Sequence, residues 1–276
     1  MGMFTIFGGR GFIGSKIVEI LSQQGHKVWI PLRDDNSIFE KPLGTVIYCA
    51  GNGNCQDTPF SVLEANTCLL AKILEKSQFN QLLYMSSTRV YMNNENSNEN
   101  SELKVCIDDN RRLFNLTKLV AEELCLKSGR DICIVRPSNV YGLAINSPLF
   151  LPSITRSAIE HRKIDMYIKR DYAKDYVSVT DVANACIYLS KKKEAAGKVI
   201  NIATGYNIKA EKIADTLQKN TQCKVIWHQI EFPNENFPIT DISLLKKLMP
   251  SYSPRNVIDD IEEMIHSFRI ELSIIQ

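Results

Sequence analysis

The chain of 276 residues is predicted to be an α/β protein with a doubly wound parallel sheet and a small C-terminal α/β lobe. Over the first two thirds of the sequence, short apolar runs alternate with amphipathic stretches, and the connections are short. This alternation is typical of parallel strands joined by helices that cover both faces of the sheet. A turn with three glycines directly follows the first apolar run. The pattern changes after about residue 143, where the second lobe is expected to begin.

The elements follow from the apolar positions, taken in chain order. Strands are predicted at 4–7, 28–30, 46–50, 82–85 and 132–135, and helices from the glycine turn to about residue 24, at 61–76 and at 110–127. Further along, a helix follows Pro148 and Pro152, a strand at "DYVSV" leads into a helix at 181–192, and a strand at 198–202 precedes helices at 208–219 and 256–268. The polar segment "NNENSNENS" at 93–101 is predicted to be a solvated, flexible loop.

Composition argues against several kinds of partner and location. A net charge of +2 gives no bulk attraction to nucleic acid or membrane. No apolar run reaches the roughly 18 residues that span a bilayer, and the first strand begins without a signal-peptide pattern. Eight cysteines are scattered without a C-x-x-C pair, which favours neither metal nor disulfides. We expect a reduced, cytoplasmic protein.

The glycine turn, in "FTIFGGRGFIGS", holds Gly8, Gly11 and Gly14 between the first strand and the first helix. A tight turn needs residues without Cβ, and a helix start offers N–H donors and a positive dipole end to a phosphate. Three glycines alone are weak evidence, but their place at the first β-to-α turn indicates a Rossmann-type dinucleotide site. The amides of this turn, with those of Phe12 and Ile13, are predicted to bind the pyrophosphate.

Two arginines bear on the choice of dinucleotide. At the end of the second strand, Leu32 stands where an acid would accept the adenosine ribose hydroxyls, and Arg33 follows it. With Arg10 inside the glycine turn, two guanidinium groups would suit a 2′-phosphate. We therefore predict NADP rather than NAD. Asp34 and Asp35 leave NAD open, since either could rotate in, and Arg33 could also be a plain surface charge.

Taken in order, these and later segments resemble the extended short-chain dehydrogenases/reductases, in the group of nucleotide-sugar epimerases, dehydratases and reductases. The segments that carry the resemblance are "GGRGFIGS", "VIYCAGN", Asn66, "YMSSTRVY", "FNLTKLVAEE", "VRPSNVYG", "DYVSVTDVANA" and "VINIATG". Their joint order is far more specific than any single segment, and it covers about residues 3–270. The resemblance implies a dinucleotide-binding Rossmann domain of residues 1–145 with about 172–204, and a substrate-binding lobe of about 146–171 with 205–276.

The resemblance implies roles for three residues at the reacting centre. The family's catalytic Ser/Thr falls on Ser87, with Ser86 and Thr88 as neighbours if the register shifts by one, and its hydroxyl would bond the reacting sugar oxygen. The family's lysine falls on Lys118, which would bind the nicotinamide ribose and lower the pKa of a neighbouring phenol. The family's tyrosine, the general acid/base, falls on Phe114.

Phe114 is a departure from the family with a chemical consequence. Phenylalanine cannot give or take a proton, and general acid/base help is typically worth roughly 10²–10⁴-fold in rate. The chain is therefore expected to be slow unless Tyr91 or Tyr141 substitutes. The origin of the phenylalanine stays open between a Tyr→Phe change made to hold substrate without turnover and a natural loss of redox chemistry with binding retained.

Further contacts are implied by the resemblance. On the cofactor side they fall on Ala50, Gly51, Asn66 and Lys118. On the substrate side they fall on Ser87, Thr88, Asn139, Arg170 and Lys174. Asn139 would reach the substrate near its phosphates, and Lys174 aligns with a family arginine that clamps the diphosphate. Either Lys174 or Arg170 could instead be a solvated surface charge.

Two more departures from the family bear on the type of reaction and on adenine binding. Family dehydratases carry an Asp-Glu pair after the catalytic Thr, whereas this chain has Thr88 and Arg89, so 4,6-dehydration is not expected. Residues 34–45 are also too few for the usual helix and strand of a crossover. The acid that family members place against adenine has no clear counterpart there.

These residues together predict an NADPH-dependent 4-keto-sugar reductase that acts on a nucleotide-diphosphate sugar in deoxysugar or polysaccharide biosynthesis. An NAD-dependent epimerase is the alternative within the family, and a redox-silent dinucleotide-binding sensor or scaffold is the alternative of another class. By resemblance, the helices near 61–76 and 110–127 form a homodimer interface. Leu69, Leu70 and Ile73 could then face a partner, although the same pattern suits a core helix.

Overall fold

The computed structural model describes residues 2–145, 147, 149–229, 231 and 235–275 of the chain, the side chains of 274 and 275 excepted. The strands are β1 (Met3–Phe7), β2 (Lys27–Trp29), β3 (Thr45–Tyr48), β4 (Gln81–Met85), β5 (Ile132–Pro137), β6 (Asn139–Tyr141), β7 (Lys163–Met166), β8 (Ala173–Lys174), β9 (Tyr176–Ser178), β10 (Val199–Ile202), β11 (Ile208–Lys209) and β12 (Lys224–Trp227). The helices are α1 (Phe12–Gln23), α2 (Pro59–Leu63), α3 (Leu69–Lys76), α4 (Arg112–Lys127), α5 (Phe150–Glu160), α6 (Val179–Leu189), α7 (Ala210–Thr221), α8 (Ser243–Leu248) and α9 (Val257–Ile275).

A six-stranded sheet in the order β10-β5-β4-β3-β1-β2 forms the centre of the molecule, and every neighbouring pair of strands is parallel. Alternate side chains of these strands point into two apolar clusters. One cluster packs against α1 and α6, and the other against α3 and α4. The predicted doubly wound parallel sheet is confirmed. Its strand order reverses next to β1, which is where such sheets bind ligands at the carboxyl ends of their strands.

A third apolar cluster belongs to the C-terminal lobe. Side chains from α5, α7 and α9 meet there, among them Ile154, Ile213 and Phe268. Two short strands, β7 and β12, pair in parallel at its edge. This is the small α/β lobe that the change of pattern predicts, while the residue bounds of the two predicted domains stay a prediction.

Several element bounds differ from those predicted. The helix expected at 61–76 begins at Pro59 and contains a π-helical turn, Glu64–Cys68. Pro152 lies inside the first turn of α5 rather than before it, a position where a missing N–H is harmless; Pro148 falls outside the described residues. Between β2 and β3, the structure has only the 3₁₀ turn Asn36–Phe39, in agreement with the short crossover.

The polar segment at 93–101 is not a solvated excursion, so that prediction is wrong. Asn94 and Ser97 are buried. The Ser97 hydroxyl donates to the carbonyl of Ile239 at 2.6 Å, and the Asn201 side chain donates to the carbonyl of Ser97 at 2.8 Å. The segment therefore connects the end of β10 to residues 235–241, because its small amide and hydroxyl side chains satisfy backbone groups there.

A buried ion pair joins α4 to β5. Arg136 donates from Nε and Nη2 to the two carboxylate oxygens of Glu122, at 3.0 and 2.5 Å, and both side chains are nearly inaccessible to solvent. Its Nη1 donates to the Tyr91 hydroxyl at 2.6 Å, which donates in turn to Asn201 Oδ1 at 2.9 Å. The Ser86 hydroxyl donates to the same carboxylate. This network fixes the carboxyl ends of β4, β5 and β10 relative to one another.

Breaking this pair tests its role in the fold. Arg136→Met leaves the Glu122 carboxylate buried without a cation, so we expect the free energy of unfolding, measured by urea denaturation, to fall by about 3–5 kcal/mol. Adding Glu122→Leu should recover part of this loss, since no buried charge is then left uncompensated. Lys209→Met is the control, because it breaks an exposed pair with Glu211 and should change stability by less than about 0.5 kcal/mol. An Arg136→Met variant as stable as this control would contradict the role.

Candidate active site

A cavity of about 800 Å³ opens at the carboxyl ends of the sheet strands and extends to the C-terminal lobe. Its wall contains most of the predicted site residues: Gly8, Gly11, Phe12, Ile13, Gly14, Gly51, Ser87, Thr88, Phe114, Lys118, Asn139 and Lys174. The remaining predicted residues lie outside this wall: Arg10, Arg33, Ala50, Asn66 and Arg170. The structure thus brings together most residues predicted for the pyrophosphate, the nicotinamide and the substrate, but neither arginine predicted for the adenosine side nor Arg170 on the substrate side.

The turn after β1 packs too closely for side chains. Gly8 has a φ of 76°, and a Cβ there would lie 2.7 Å from the amide nitrogen of Ala50. A Cβ on Gly14 would overlap the carbonyl oxygen of Gly8. Helix α1 therefore begins against the strand ends, and its N-cap, Gly11, offers no capping side chain. The uncapped amides and the positive dipole end at this helix start fit the phosphates of a dinucleotide.

Lys118 lies on α4 with its ammonium group at the carboxyl end of β4. The side chain is buried, Nζ donates to the carbonyl of Met85 at 2.8 Å, and burial lowers the pKa of Lys118 to about 8. A Cβ on Gly51 would lie 3.5 Å from Nζ, so the loop after β3 passes directly over it. Lys118 is therefore held at the cavity wall, where it can donate further hydrogen bonds to a ribose.

Asn66 does not reach the cavity, although it is fully buried beside it. Its amide donates to Thr117 Oγ1 at 3.0 Å and to the carbonyl of Asn52 at 3.1 Å, and its Oδ1 accepts from the Asn52 amide at 3.1 Å. The side chain is thus fully engaged in fixing the loop that contains Gly51 against α4. In this structure Asn66 positions the wall rather than lining it.

Ser86 and Ser87 directly follow β4, and their hydroxyls have different partners. The Ser86 hydroxyl donates to the buried Glu122 carboxylate. The Ser87 hydroxyl oxygen accepts from the Arg89 amide at 3.1 Å, which caps the following 3₁₀ turn and leaves its own proton available. Thr88 is also in the cavity wall. Of the two serines, Ser87 is the one whose hydroxyl can donate to a ligand.

Phe114 occupies the cavity wall between two cations. The guanidinium carbon of Arg111 lies 4.8 Å from the ring centroid, and Lys118 Nζ lies 5.7 Å from it. A tyrosine at this position would add a hydroxyl in the plane of the same ring. The phenylalanine fills the volume but supplies no proton.

Neither tyrosine considered as a substitute is free to act. The Tyr91 hydroxyl is held between Arg136 and Asn201, and burial raises its pKa to about 12. The Tyr141 hydroxyl donates to Asp260 Oδ2 at 2.6 Å, and burial together with that carboxylate raises its pKa. Both phenols thus have structural partners that hold them as hydrogen-bonding groups.

A charged cluster in and beside the cavity wall was not among the predicted binding residues. Arg89 Nη2 donates to Asp109 Oδ1 at 2.7 Å and to Glu235 Oε1 at 3.0 Å, and the Tyr172 hydroxyl donates to Glu235 Oε2 at 2.8 Å. Arg111 adjoins this cluster. Arg89 and Glu235 are 146 positions apart in the chain, and no local sequence signal indicates that they meet.

The substrate-side residues are only partly brought together. Asn139 lines the cavity, and its side-chain amide donates to the carbonyl of Asp175 at 2.8 Å, whereas its Oδ1 has no partner among the described residues. Lys174 Nζ lies 4.0 Å from Glu235 Oε2, and burial lowers the pKa of Lys174 to about 8. Arg170 is exposed outside the wall, where its guanidinium stacks on the Trp227 ring at 4.7 Å. The stacking explains why it is not directed at the cavity.

The adenosine-side residues are exposed. Arg10 and Arg33 both face solvent, and Leu32 is 64% exposed at the position of the expected acid. Asp35 is occupied, because its Oδ1 accepts from the amide of Ser37 at 3.0 Å and from its hydroxyl at 2.6 Å.

Two further properties concern the whole described chain. Within residues 2–145, 147, 149–229, 231 and 235–275, no helix is both long and apolar enough to cross a membrane. The same residues contain no group of three or more His, Cys, Asp or Glu side chains that could hold a metal ion.

Comparison with known proteins agrees with this geometry. The family model described as "NAD dependent epimerase/dehydratase family" matches residues 4–203. A similar curated protein is GDP-6-deoxy-D-talose 4-dehydrogenase from Aggregatibacter actinomycetemcomitans, with 30% identity over 155 residues, which are 52% of this chain and 51% of the relative. The matched region is thus about half of this chain and about half of that relative.

Solved structures share the fold over nearly the whole chain. MoeE5 in complex with UDP-glucuronic acid and NAD has a TM-score of 0.85 and 18% identity, covering 98% of this chain and 100% of that one. The UDP-glucose 4-epimerase of Thermotoga maritima with UDP-glucose has a TM-score of 0.79 and 18% identity, covering 98% and 99%. At this level of identity the likeness establishes the fold, and it confirms the predicted Rossmann-type architecture.

Proposed function

The chain belongs to the NAD dependent epimerase/dehydratase family, and from this membership we propose that it is a nucleotide-sugar oxidoreductase, most specifically an NADPH-dependent 4-keto-sugar reductase of deoxysugar or polysaccharide biosynthesis. The observation that carries the proposal is the composition of one cavity. Its wall runs from the glycine turn through Ser87 and Lys118 to Asn139 and Lys174. A dinucleotide phosphate site, a sugar-oxygen donor and a cation for a substrate diphosphate thus share one space.

A bound nicotinamide dinucleotide would supply or accept the hydride. Lys118, held by the Met85 carbonyl, would donate to the nicotinamide ribose. The Ser87 hydroxyl would donate to the reacting sugar oxygen and orient it. Lys174 and Asn139 would hold the diphosphate of the sugar nucleotide at the lobe side.

Among the described residues, no side chain considered for the role is available to transfer a proton to or from the sugar oxygen. Phe114 fills the wall beside Lys118, and neither Tyr91 nor Tyr141 offers a free hydroxyl. The chain as it stands should therefore bind both ligands and turn them over slowly. An NAD-dependent epimerase would need the same proton transfer, whereas a redox-silent sensor or scaffold would need none.

Restoring the hydroxyl tests the proposal. Phe114→Tyr should raise kcat by about 10²–10⁴-fold, since it returns a general acid next to Lys118. The measurement is NADPH oxidation with a panel of nucleotide-linked 4-keto sugars. The double variant Phe114→Tyr with Lys118→Met is the matched control, and it should lose most of the gain while keeping the added phenol.

The outcomes separate the three candidate functions. A gain in NADPH oxidation supports the reductase. Interconversion of two sugar nucleotides without net use of NADPH would identify the epimerase instead. A folded Phe114→Tyr variant that binds dinucleotide but shows neither activity would favour the sensor or scaffold.

We propose NADP over NAD on the strength of the adenosine-side residues. Arg10 and Arg33 are exposed, and neither has an ion-pair partner among the described residues. Leu32 cannot accept a bond from a ribose hydroxyl. Asp35 caps a 3₁₀ turn through Oδ1, so rotating this side chain to serve NAD would break its two hydrogen bonds with Ser37.

The two dinucleotides can be compared directly. NADPH should bind more tightly than NADH in a fluorescence titration, and Arg33→Ser should weaken NADPH binding by about tenfold while leaving NADH unchanged, because only NADPH carries the 2′-phosphate. Lys27→Ser is the control, an exposed cation at the opposite end of β2. Equal loss for both dinucleotides, or tighter NADH binding, would contradict the NADP assignment.

The cysteines support a proposed cytoplasmic location. All eight are free thiols. Burial raises the pKa of Cys49 and of Cys133 to about 12, so these thiols stay protonated and unreactive. A chain with many unpaired thiols suits a reducing compartment.

We also propose a homodimer formed by the outer surface of α2 and α4. The large apolar side chains exposed there are Phe60, Leu63, Leu116, Val120 and Leu124. Of the two interpretations that the sequence left open for Leu70 and Ile73, the core helix is the one observed: both side chains are fully buried and pack on the sheet within this chain's own core.

Size-exclusion chromatography with light scattering tests the dimer. The native chain should have twice the mass of the monomer, and Val120→Glu should shift it to the monomer, since a buried unpaired charge would oppose association. Ile270→Glu is the control, an exposed apolar residue on α9. A native chain that is monomeric, or a Val120→Glu variant that stays dimeric, would contradict this interface.

A further inference from the structure

Arg111 places an unmatched cation in the cavity wall. Its guanidinium lies against the Phe114 ring, with the guanidinium carbon 4.8 Å from the ring centroid. On the other side, a Cβ on Gly53 would come within 2.9 Å of Nη2. Among the described residues no acceptor bonds any side-chain donor of Arg111, and its Nε is buried without a partner. A buried donor without a partner is unfavourable, and it points to an acceptor that arrives with a ligand.

Helix capping does not explain the arginine side chain at position 111. It is the N-cap residue of α4, where Ser, Thr, Asp or Asn would normally cap the helix. Asp109 takes over the capping, since its Oδ1 accepts from the Arg111 amide at 2.8 Å and its Oδ2 accepts from Asn115 at 2.8 Å. The backbone of Arg111 is thus satisfied by a neighbour, and its guanidinium remains for the cavity.

The neighbouring carboxylates are already engaged. Asp109 and Glu235 both accept from Arg89, and Glu235 also accepts from Tyr172 and lies 4.0 Å from Lys174. Arg89 itself has a buried Nε without a partner in the described structure. Arg89 and Lys174 are therefore matched by these two carboxylates, whereas Arg111 is a cation of the wall whose side chain bonds neither of them among the described residues. An anionic group of the ligand beside Arg111 would supply the missing acceptor.

We propose that the sugar of the substrate carries a carboxylate, and that Arg111 binds it. This rests on the proposed function, which makes the ligand a nucleotide sugar. The contact with Phe114 places the guanidinium beside the position that carries the proton-exchanging tyrosine in the family, so a sugar bound for reaction would lie next to it. The diphosphate is assigned to Asn139 and Lys174. A planar guanidinium matches the two oxygens of a carboxylate.

Matched pairs of sugar nucleotides test the proposal. Binding to the native protein, saturated with NADP, is measured by calorimetry for UDP-glucuronic acid against UDP-glucose and for GDP-mannuronic acid against GDP-mannose. In the pair that binds, the acidic sugar should bind at least about tenfold more tightly. Arg111→Met should remove this preference by weakening the acidic sugar about 10- to 100-fold while changing the neutral sugar less than about twofold. Arg112→Met, the adjacent exposed cation outside the cavity wall, should change neither.

Three results would overturn the proposal in distinguishable ways. Equal weakening of acidic and neutral sugars by Arg111→Met would mean that the guanidinium binds the shared diphosphate, and the proposed function would stand. A native protein that binds the neutral sugar nucleotide more tightly would rule out a carboxylate on the sugar of the substrate. The proposed function would again stand. A folded native protein that binds NADP but no sugar nucleotide would overturn both. Retained NADP affinity and an unchanged circular dichroism spectrum show that the variants are folded.

Discussion

The geometry of the site depends on the close contact between the glycine turn and the ends of the neighbouring strands. Because no Cβ fits at Gly8 or Gly14, the backbone of the turn touches the start of the loop after β3, and α1 begins at the edge of the sheet. This edge is also where the strand order reverses, so a cleft must form above it. The uncapped helix start then faces the same cleft as the loop that covers Lys118. A side chain at either glycine would separate these groups.

Behind the wall, polar contacts hold the other strand ends in place. The Arg136–Glu122 pair, with Tyr91 and Asn201, connects β4, β5 and β10, and the segment at 93–101 closes over the last of them. These contacts orient the wall so that Ser87 and Lys118 meet the cavity. Phe114 in this wall differs from the family's tyrosine only by the missing phenolic oxygen. Under the proposed function, this arrangement would bind both ligands but would lack the group that transfers the proton.

The sequence predicts those parts of the candidate site that lie within one strand, its following loop or one helix. The position of the glycine turn after the first strand predicts its place at the sheet edge, and the family resemblance predicts Ser87 after β4 and Lys118 on α4. Contacts between distant segments could not be predicted in this way. The charge cluster depends on Glu235, which meets Arg89 across 146 positions. The composition of 93–101 likewise predicts solvent exposure, because it does not show which Asn and Ser side chains will bond the backbone of a distant strand.

A crystal structure of the protein grown with NADPH is the most direct measurement. We expect the pyrophosphate on the open amides of Phe12, Ile13 and Gly14 at the start of α1, and the nicotinamide ring beside Ser87 and Lys118 with its reactive face toward Phe114. A dinucleotide bound elsewhere, or a cavity without dinucleotide at saturating concentration, would contradict the central claim that these residues form one nicotinamide site.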